Sequence, residues 1–322
     1  GYASMQRSRH WTSCAESFKP EVKTAPFDQI IAVDWSASTK PKRGADSCWI
    51  AQARKGKASA LHNPPTRQLA IAEVEIMIAE ALASGQRSLI GFDASLGYAR
   101  GLHAQLGLTG DDAWAKLWAK IAALSIDGPA NANNRFSVAE QLNEAIGWGQ
   151  FWARPQTSGH EHFHQLSATM AGRKQPKDPQ GFLDDFRLCE RVAGGGIQSS
   201  WKLYGAGSVG GQILTLLPYL HRLREQLGSA LGVWPFDGWQ DPGTSVVLLE
   251  LWFSHQPIAV PLGGVRDAAQ VRRSAEGLLA LHPSDWEELW LPQAVRELTA
   301  RDRAAVVQEE GWTFEVGSAL HG

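Results

Sequence analysis

The chain has 322 residues, of which 43% are hydrophobic, and a formal net charge of −2. A chain of this length and composition can bury a full core, either as one large domain or as two ordinary ones. The near-neutral charge excludes a global attraction to nucleic acid or to an anionic membrane, so any nucleic-acid contact must come from a local patch.

The three cysteines, Cys14, Cys48 and Cys189, are odd in number and widely spaced, which fits neither a disulfide framework nor a paired zinc site. No apolar run approaches the roughly 20 residues of a membrane span, and the polar N-terminus lacks the apolar stretch of a signal peptide. We therefore expect a cytoplasmic protein without a membrane partner. Residues 1–26 are expected to form a flexible tail, in which Met5 looks like the native start.

Short apolar runs and one amphipathic segment predict an α/β arrangement in the first third of the chain. A strand that ends at Asp34, an apolar stretch over 47–54 and a weaker strand over 58–62 predict an antiparallel meander. Residues 66–83 have the pattern of an amphipathic helix. A second apolar strand follows at once and ends at Asp93.

The rest of the chain is less regular, with a mostly helical and loop-rich segment over 106–243. The other regular elements predicted are a helix over 212–227, a strand over 245–253 that contains Glu250, helices over 266–281 and 284–300, and a short strand over 312–316.

Three strands, a helix and a fourth strand, followed after an interruption by a strand and helices, is the element order of the ribonuclease H-like fold. We therefore expect a mixed sheet of three antiparallel strands and then parallel strands, flanked by helices. Residues 27–105 and 244–318 would form this core, and 106–243 would be an insertion that covers an acidic site. Asp34 and Asp93 would lie side by side at the sheet edge where open α/β sheets bind ligands.

Six motifs are spread over residues 30–255: Val33-Asp34-Trp35-Ser36-Ala37, Ile90-Gly91-Phe92-Asp93, Phe151-Trp152-Ala153-Arg154-Pro155, Phe186-Arg187 with Glu190, Gly207-Ser208-Val209-Gly210, and Val233-Trp234-Pro235-Phe236. In these motifs the chain resembles the bacterial domain-of-unknown-function 429 family, which is grouped with the ribonuclease H-like superfamily. The resemblance implies a fold and an acidic site, but no agreed activity. Leu216-Leu217-Pro218 departs from the family's usual Gly-Ile-Pro, and Ser284-Asp285-Trp286-Glu287 meets its late aspartate-alanine pattern only loosely.

The two strand-end aspartates predict a metal site, because an ionised carboxylate beside apolar residues needs a cation or hydrogen-bond donors. In ribonuclease H-like nucleases, carboxylates from the first strand, a later parallel strand and a C-terminal helix hold two Mg²⁺ ions. By analogy, Asp34 and Asp93 are the expected ligands of Mg²⁺ or Mn²⁺. Asp285 or Glu250 would complete the catalytic set, and Glu73 is a further candidate.

Each carboxylate also has a structural interpretation. Asp34 and Asp93 can cap turns, since aspartate readily bonds its own following backbone. Ser284 with Glu287 forms a capping-box pattern that explains an acidic first turn at Asp285 without a metal. Glu250 can be a strand-end residue that faces solvent.

Two loops could bind phosphate. Residues 36–44 offer hydroxyls and three cations to a nucleotide phosphate or a nucleic-acid backbone. Residues 205–210 match G-x-G-x-x-G, but residues 201–204 are too short and mixed for the core strand that a dinucleotide fold requires. The pattern therefore favours an anion-binding helix N-terminus or a tight turn over dinucleotide binding. The residues expected to meet phosphate are Ser36, Lys40, Arg154, Arg187, Lys202, Gly207 and Ser208.

His160, His162 and His164 would lie on one face of an extended segment, at a spacing that a transition metal could use. The surrounding prolines and glycines indicate a surface loop instead.

These features predict a divalent-metal-dependent phosphoesterase, a nuclease-like hydrolase that acts on a nucleic acid or nucleotide. One alternative is an ATP-dependent kinase or ligase on the same fold, although a second phosphate loop of Asp-x-Gly-Gly type is missing from the sequence. The other is a non-catalytic nucleotide- or partner-binding module that has lost a full ligand set.

Overall fold

The computed structural model describes residues 26–318 except 158, 179–180, 195–196, 254–257, 259 and 261–262. Apart from Pro26, the tail expected over residues 1–26 lies outside the described residues.

A six-stranded mixed sheet forms the centre of the fold, in the order β3-β2-β1-β4-β6-β5. Its strands are β1 (Gln29–Asp34), β2 (Trp49–Arg54), β3 (Ala60–His62), β4 (Ser88–Phe92), β5 (Leu231–Val233) and β6 (Val246–Glu250). The first three strands are antiparallel, whereas β4, β6 and β5 continue the sheet in parallel with β1. The predicted α/β class and antiparallel-then-parallel sheet are confirmed, and the layout is compatible with a ribonuclease H-like arrangement.

Ten α-helices flank the sheet within the described ranges: α1 (Arg67–Ala83), α2 (Leu102–Gln105), α3 (Ala113–Leu124), α4 (Arg135–Ile146), α5 (Leu188–Ala193), α6 (Gly210–Leu227), α7 (Arg266–Ala280), α8 (Pro283–Trp290), α9 (Gln293–Arg296) and α10 (Ala300–Ala305). The continuous helix expected over 284–300 is interrupted between α8 and α9 at Pro292, which lacks a backbone N–H. Across the described residues, no helix combines the length and apolar character needed to cross a membrane.

Both faces of the sheet are buried, and alternate residues of each strand pack into the cores on its two sides. In β1, Ile31 and Val33 face a core shared with α1, α3, α4 and α6. Ile30 and Ala32 belong to the opposite core, which includes residues of α7 and α8. Because α7 packs across β1 and β2, its first turn can reach the carboxyl end of β1.

The segment over 106–243 contributes to the sheet as well as to its helical cover. Its helices α3, α4 and α6 pack in the same core as Ile31 and Val33, and β5 is the edge strand beside β6. The strand expected over 312–316 is reduced to a single parallel bridge between Glu250 and Thr313.

Candidate functional site

Neighbouring strands bring Asp34 and Asp93 to one edge of the sheet. The parallel register of β1 and β4 pairs Val33 with Phe92, and the Asp93 N–H donates to the Val33 carbonyl at 3.0 Å. Asp34 follows Val33 and Asp93 follows Phe92, so the two aspartates are also neighbours. Because side chains alternate along a strand, both aspartates share the face that Ala32 presents to the core beneath α7.

A third carboxylate, Asp267, comes from the first turn of α7. Its Oδ2 accepts a hydrogen bond of 2.7 Å from the backbone N–H of Asp46, in the loop after β1. Its charge acts on both Asp34 and Asp93. The packing of α7 over β1 and β2 thus adds a helix-borne carboxylate to the pair on the strands.

Burial and mutual repulsion perturb the two strand carboxyls. Burial, followed by the charges of Asp93, Asp267 and Asp46, raises the pKa of Asp34 well above its usual 3.8. Burial raises the pKa of Asp93 to about 7, opposed by a hydrogen bond from the Phe253 backbone and assisted by nearby negative charges. Within the described residues, the Asp34 carboxylate has no hydrogen-bond or ion-pair partner. Among the described residues, the group is therefore an acidic cluster for which no counter-ion is present.

Glu250 ends β6 but belongs to a different arrangement. Glu250 is paired with Phe92, not with Asp93, in the register of β4 and β6. Because successive side chains point to opposite faces of a sheet, Glu250 is on the face opposite to that of the two aspartates. Arg187 donates to both of its carboxylate oxygens, at 2.6 and 2.8 Å, and Thr313 Oγ1 donates at 2.6 Å. These bonds commit Glu250 to a buried ion pair, so it is not placed as a third ligand beside the aspartates.

Asp285 and Glu73 are also engaged elsewhere. Asp285 accepts a hydrogen bond of 3.1 Å from the His282 N–H and completes the capping box of α8. The predicted capping function is present, with His282 rather than Ser284 as the first residue of the box. Glu73 lies on α1, where its carboxylate is 3.1 Å from His62 Nδ1.

A cavity of about 280 Å³ opens beside Asp93 at the carboxyl ends of β4 and β6. Its polar wall includes Asp93, Ser95 and Gln198, and its apolar wall includes Ile197 and Val209. Ligands of open α/β sheets bind at this position. Of the residues expected to meet phosphate, Arg187 and Gly207 line the cavity.

Most of the expected phosphate ligands bond to the protein itself. Arg154 donates to the carbonyls of Leu166 and His160, and Lys202 donates to that of Ala206. Arg187 is 1% exposed and paired with Glu250 and Glu190. All three cations therefore bond to other groups of the chain, and of the three only Arg187 lines the cavity.

The hydroxyl-rich loop after β1 and the glycine-rich loop before α6 each form hydrogen bonds within themselves. Ser36 Oγ donates to the Asp46 carbonyl, and Lys40 is exposed on the same loop. The Ser208 N–H donates to the Gly205 carbonyl, which closes a tight turn before α6. Of the two open interpretations of 205–210, the tight turn is present.

The histidine segment does not form the extended strand that a shared metal face would require. The Phe163 N–H donates to the His160 carbonyl and closes a turn. The His160 ring packs edge-on against Phe136 at 5.2 Å, and the His162 ring lies 4.0 Å from that of Phe163. The surface-loop interpretation fits this segment.

The donor chemistry of the acidic cluster suits a hard divalent cation, because carboxylate oxygens are the ligands that Mg²⁺ and Mn²⁺ prefer. In the part of the chain that the structure describes, no three His, Cys, Asp or Glu side chains already stand in a metal-holding arrangement. Mg²⁺ does not require such a cage, because it is commonly held by one or two carboxylates, waters and substrate phosphate. The residues present therefore fit a cation bound mainly by Asp34 and Asp93.

Sequence reasoning missed Asp267. The available signal was its place in the first turn of a helix that follows the last core strand, which is where the ribonuclease H-like resemblance puts a helix-borne carboxylate. Comparisons with protein-family models, curated proteins and solved structures give no match to this chain.

Proposed function

We propose that the chain is a divalent-metal-dependent phosphoesterase of ribonuclease H-like type, related to the domain-of-unknown-function 429 family, and that it acts on a nucleotide-sized substrate. The observation that carries the proposal is the acidic cluster. Asp34 and Asp93 lie on adjacent strand ends, Asp267 joins them from α7, and the charges acting most strongly on the pair are negative.

Asp34 and Asp93 would hold Mg²⁺ or Mn²⁺, and Asp267 would add negative charge beside it. The cation, when bound, would polarise a phosphoryl oxygen and lower the pKa of a coordinated water. The chain itself supplies rigid placement, since Asp34 ends a strand whose preceding residues are all buried and Asp93 directly follows a fully buried strand. It also supplies a partly dehydrated setting, in which charge interactions are stronger than in water.

The cavity beside Asp93 supports a small substrate. Its volume of about 280 Å³ is close to the lower limit of typical ligand pockets. Apolar and polar walls together would hold an organic group whose phosphate reaches Asp93. We infer a mononucleotide or a phosphoester of similar size.

The distribution of cations favours a small substrate over a polymer. A nucleic-acid backbone is normally held by several available Lys or Arg side chains. Here Arg154, Arg187 and Lys202 bond to carbonyl or carboxylate oxygens of the chain, which leaves Lys40 as the exposed cation among those expected to meet phosphate. The net charge of −2 adds no general attraction for a polyanion.

The test is a turnover assay of the purified protein with Mg²⁺ or Mn²⁺ and three substrate sets: nucleotides, short oligonucleotides, and DNA or RNA. We expect phosphate-ester cleavage of the nucleotide set, abolished by EDTA and by the double substitution Asp34→Asn/Asp93→Asn. Asp285→Asn is the matched control, because it removes the same charge at a helix cap outside the acidic cluster.

Cleavage that persists in the Asp34→Asn/Asp93→Asn protein would reject the site. Preferential cleavage of polymers would retain the site but reject the small substrate. If nothing is cleaved and nucleotides bind equally well with EDTA, the enzyme proposal fails in favour of a binding module.

A further inference from the structure

A second polar cavity, of about 160 Å³, lies in the helical layer on the other face of the sheet. It is bordered by α6 and by the segment between α3 and α4, and its lining includes Asp127, Asn133, Arg135, Thr215, Tyr219 and Arg222. Thr215 accepts a hydrogen bond from the indole of Trp35, which belongs to the core on this face. This cavity shares no lining residue with the cavity beside Asp93.

Arg135 is a buried cation on the wall of this second cavity. It is only 8% exposed. Its Nη1 donates to the Asn133 side-chain oxygen at 2.9 Å, while its Nε has no hydrogen-bond partner among the described residues. The groups that act electrostatically on it are the cation Arg67 and Tyr204, with no carboxylate among them. The guanidinium lies over the Phe136 ring, 4.5 Å from its centroid, which is a favourable contact but supplies no negative charge.

The other charges around the cavity are already compensated. Arg67 donates to both oxygens of Asp127 at 2.6 Å, and Tyr219 donates to the same carboxylate at 2.9 Å. Arg222 is paired with Glu75 at 2.9 Å. One positive charge, that of Arg135, therefore remains without a partner of opposite sign in this part of the described structure.

The chain makes room for this guanidinium on α6. A Cβ added at Gly211, in the first turn of α6, would lie 3.1 Å from Arg135 Nε and 3.3 Å from the Ala37 Cβ. The glycine lets the guanidinium pack directly against the helix. A charged group held in this way, away from water and without a counter-ion, is costly unless a ligand supplies the opposite charge.

We propose that this cavity binds a small oxyanion, a phosphate or carboxylate group, through Arg135. The planar guanidinium suits the paired oxygens of either group. The volume is close to that of a cavity of about 150 Å³ that accommodates benzene, so it admits phosphate or a small carboxylic acid but not a nucleotide. The site goes beyond the proposed phosphoesterase activity and is independent of the acidic cluster.

The test is isothermal titration of the full chain with inorganic phosphate and, separately, with acetate, at constant ionic strength set by chloride. We expect saturable binding of at least one anion, weakened at least tenfold in Arg135→Met. Arg224→Met is the matched control, because Arg224 is an exposed cation of α6 that does not line the cavity. Asp34→Asn/Asp93→Asn should bind the anion as the unaltered chain does, which separates this site from the proposed catalytic one.

Anion-free thermal unfolding provides a second readout. Arg135→Met should unfold at a higher temperature than the unaltered chain, because the uncompensated buried charge is gone, and the anion should raise the unfolding temperature only where Arg135 is present. If Arg135→Met does not fold, Arg135→Lys serves in its place and should bind more weakly than the unaltered chain. The absence of saturable binding for both anions, or equal binding by the Arg135 variant, would overturn the proposal. Selective binding of phosphate or of acetate would define the ligand class.

Discussion

Replacing Asp93 with asparagine should stabilise the metal-free protein, and the gain should grow with pH. Burial raises the pKa of the Asp93 carboxyl from 3.8 to about 7. In the unfolded chain the pKa stays near its ordinary value of about 3.9. Between these values the folded state holds a proton that the unfolded state has lost, so the free energy of unfolding falls as pH rises through this window.

The size of the effect follows from the same two pKa values. For each pH unit over which the folded state holds this extra proton, the free energy of unfolding falls by about 1.4 kcal/mol. Between pH 5 and pH 8 this applies to about two pH units, those below the folded-state pKa of about 7. The stability advantage of Asp93→Asn over the unaltered chain should therefore grow by about 3 kcal/mol from pH 5 to pH 8.

Urea denaturation in EDTA at pH 5 and pH 8 measures this difference, with Asp285→Asn as the control for removal of a carboxylate at a helix cap. An advantage that is the same at both pH values, or that shrinks at pH 8, would refute the inference that Asp93 is a costly buried charge.

Three further predictions concern the same scaffold. Mg²⁺ should raise the unfolding temperature of the unaltered chain but not of a protein whose two strand-end aspartates are asparagine, as thermal unfolding with and without EDTA would show. Glu250→Ala leaves the Arg187 guanidinium buried without its main partner and should lower the free energy of unfolding by about 3–5 kcal/mol in urea; a loss below 1 kcal/mol would contradict a buried ion pair. Gly210→Ala would place a Cβ 2.5 Å from the Ser200 carbonyl oxygen and should lower the free energy of unfolding by about 1–3 kcal/mol. Gly277→Ala, whose Cβ would have nothing within 4 Å, should instead stabilise α7 by about 0.5–1 kcal/mol. Equal effects of the two substitutions in calorimetry would contradict this contrast.

The sheet was largely predictable because its central strands are short, continuous apolar runs, which is typical of strands buried on both faces. Helix α1 was predictable for a local reason as well. Thr66 accepts a hydrogen bond from the Leu69 N–H at the helix start, and the predicted helix over 66–83 matches Arg67–Ala83 with its cap. The three-residue strand β5 has too short an apolar run to be distinguished from a loop.

The composition of the site was less predictable because it depends on packing between distant segments. Asp267 has the pattern of an ordinary acidic residue in a first helical turn, which the helix dipole alone would explain. Only the packing of α7 across β1 and β2 brings it near Asp34. Likewise, Glu250 meets Arg187 from 63 positions away along the chain, which no local pattern indicates.

The two outermost strands, β3 and β5, are each only three residues long. An exposed strand edge offers unpaired N–H and C=O groups on which another polypeptide can add, and long flat edges promote aggregation. Such short borders leave little template for a foreign strand. The architecture should therefore resist edge-to-edge polymerisation even at high protein concentration. The longer strands that position the two aspartates, β1 and β4, lie in the interior of the sheet and expose no edge.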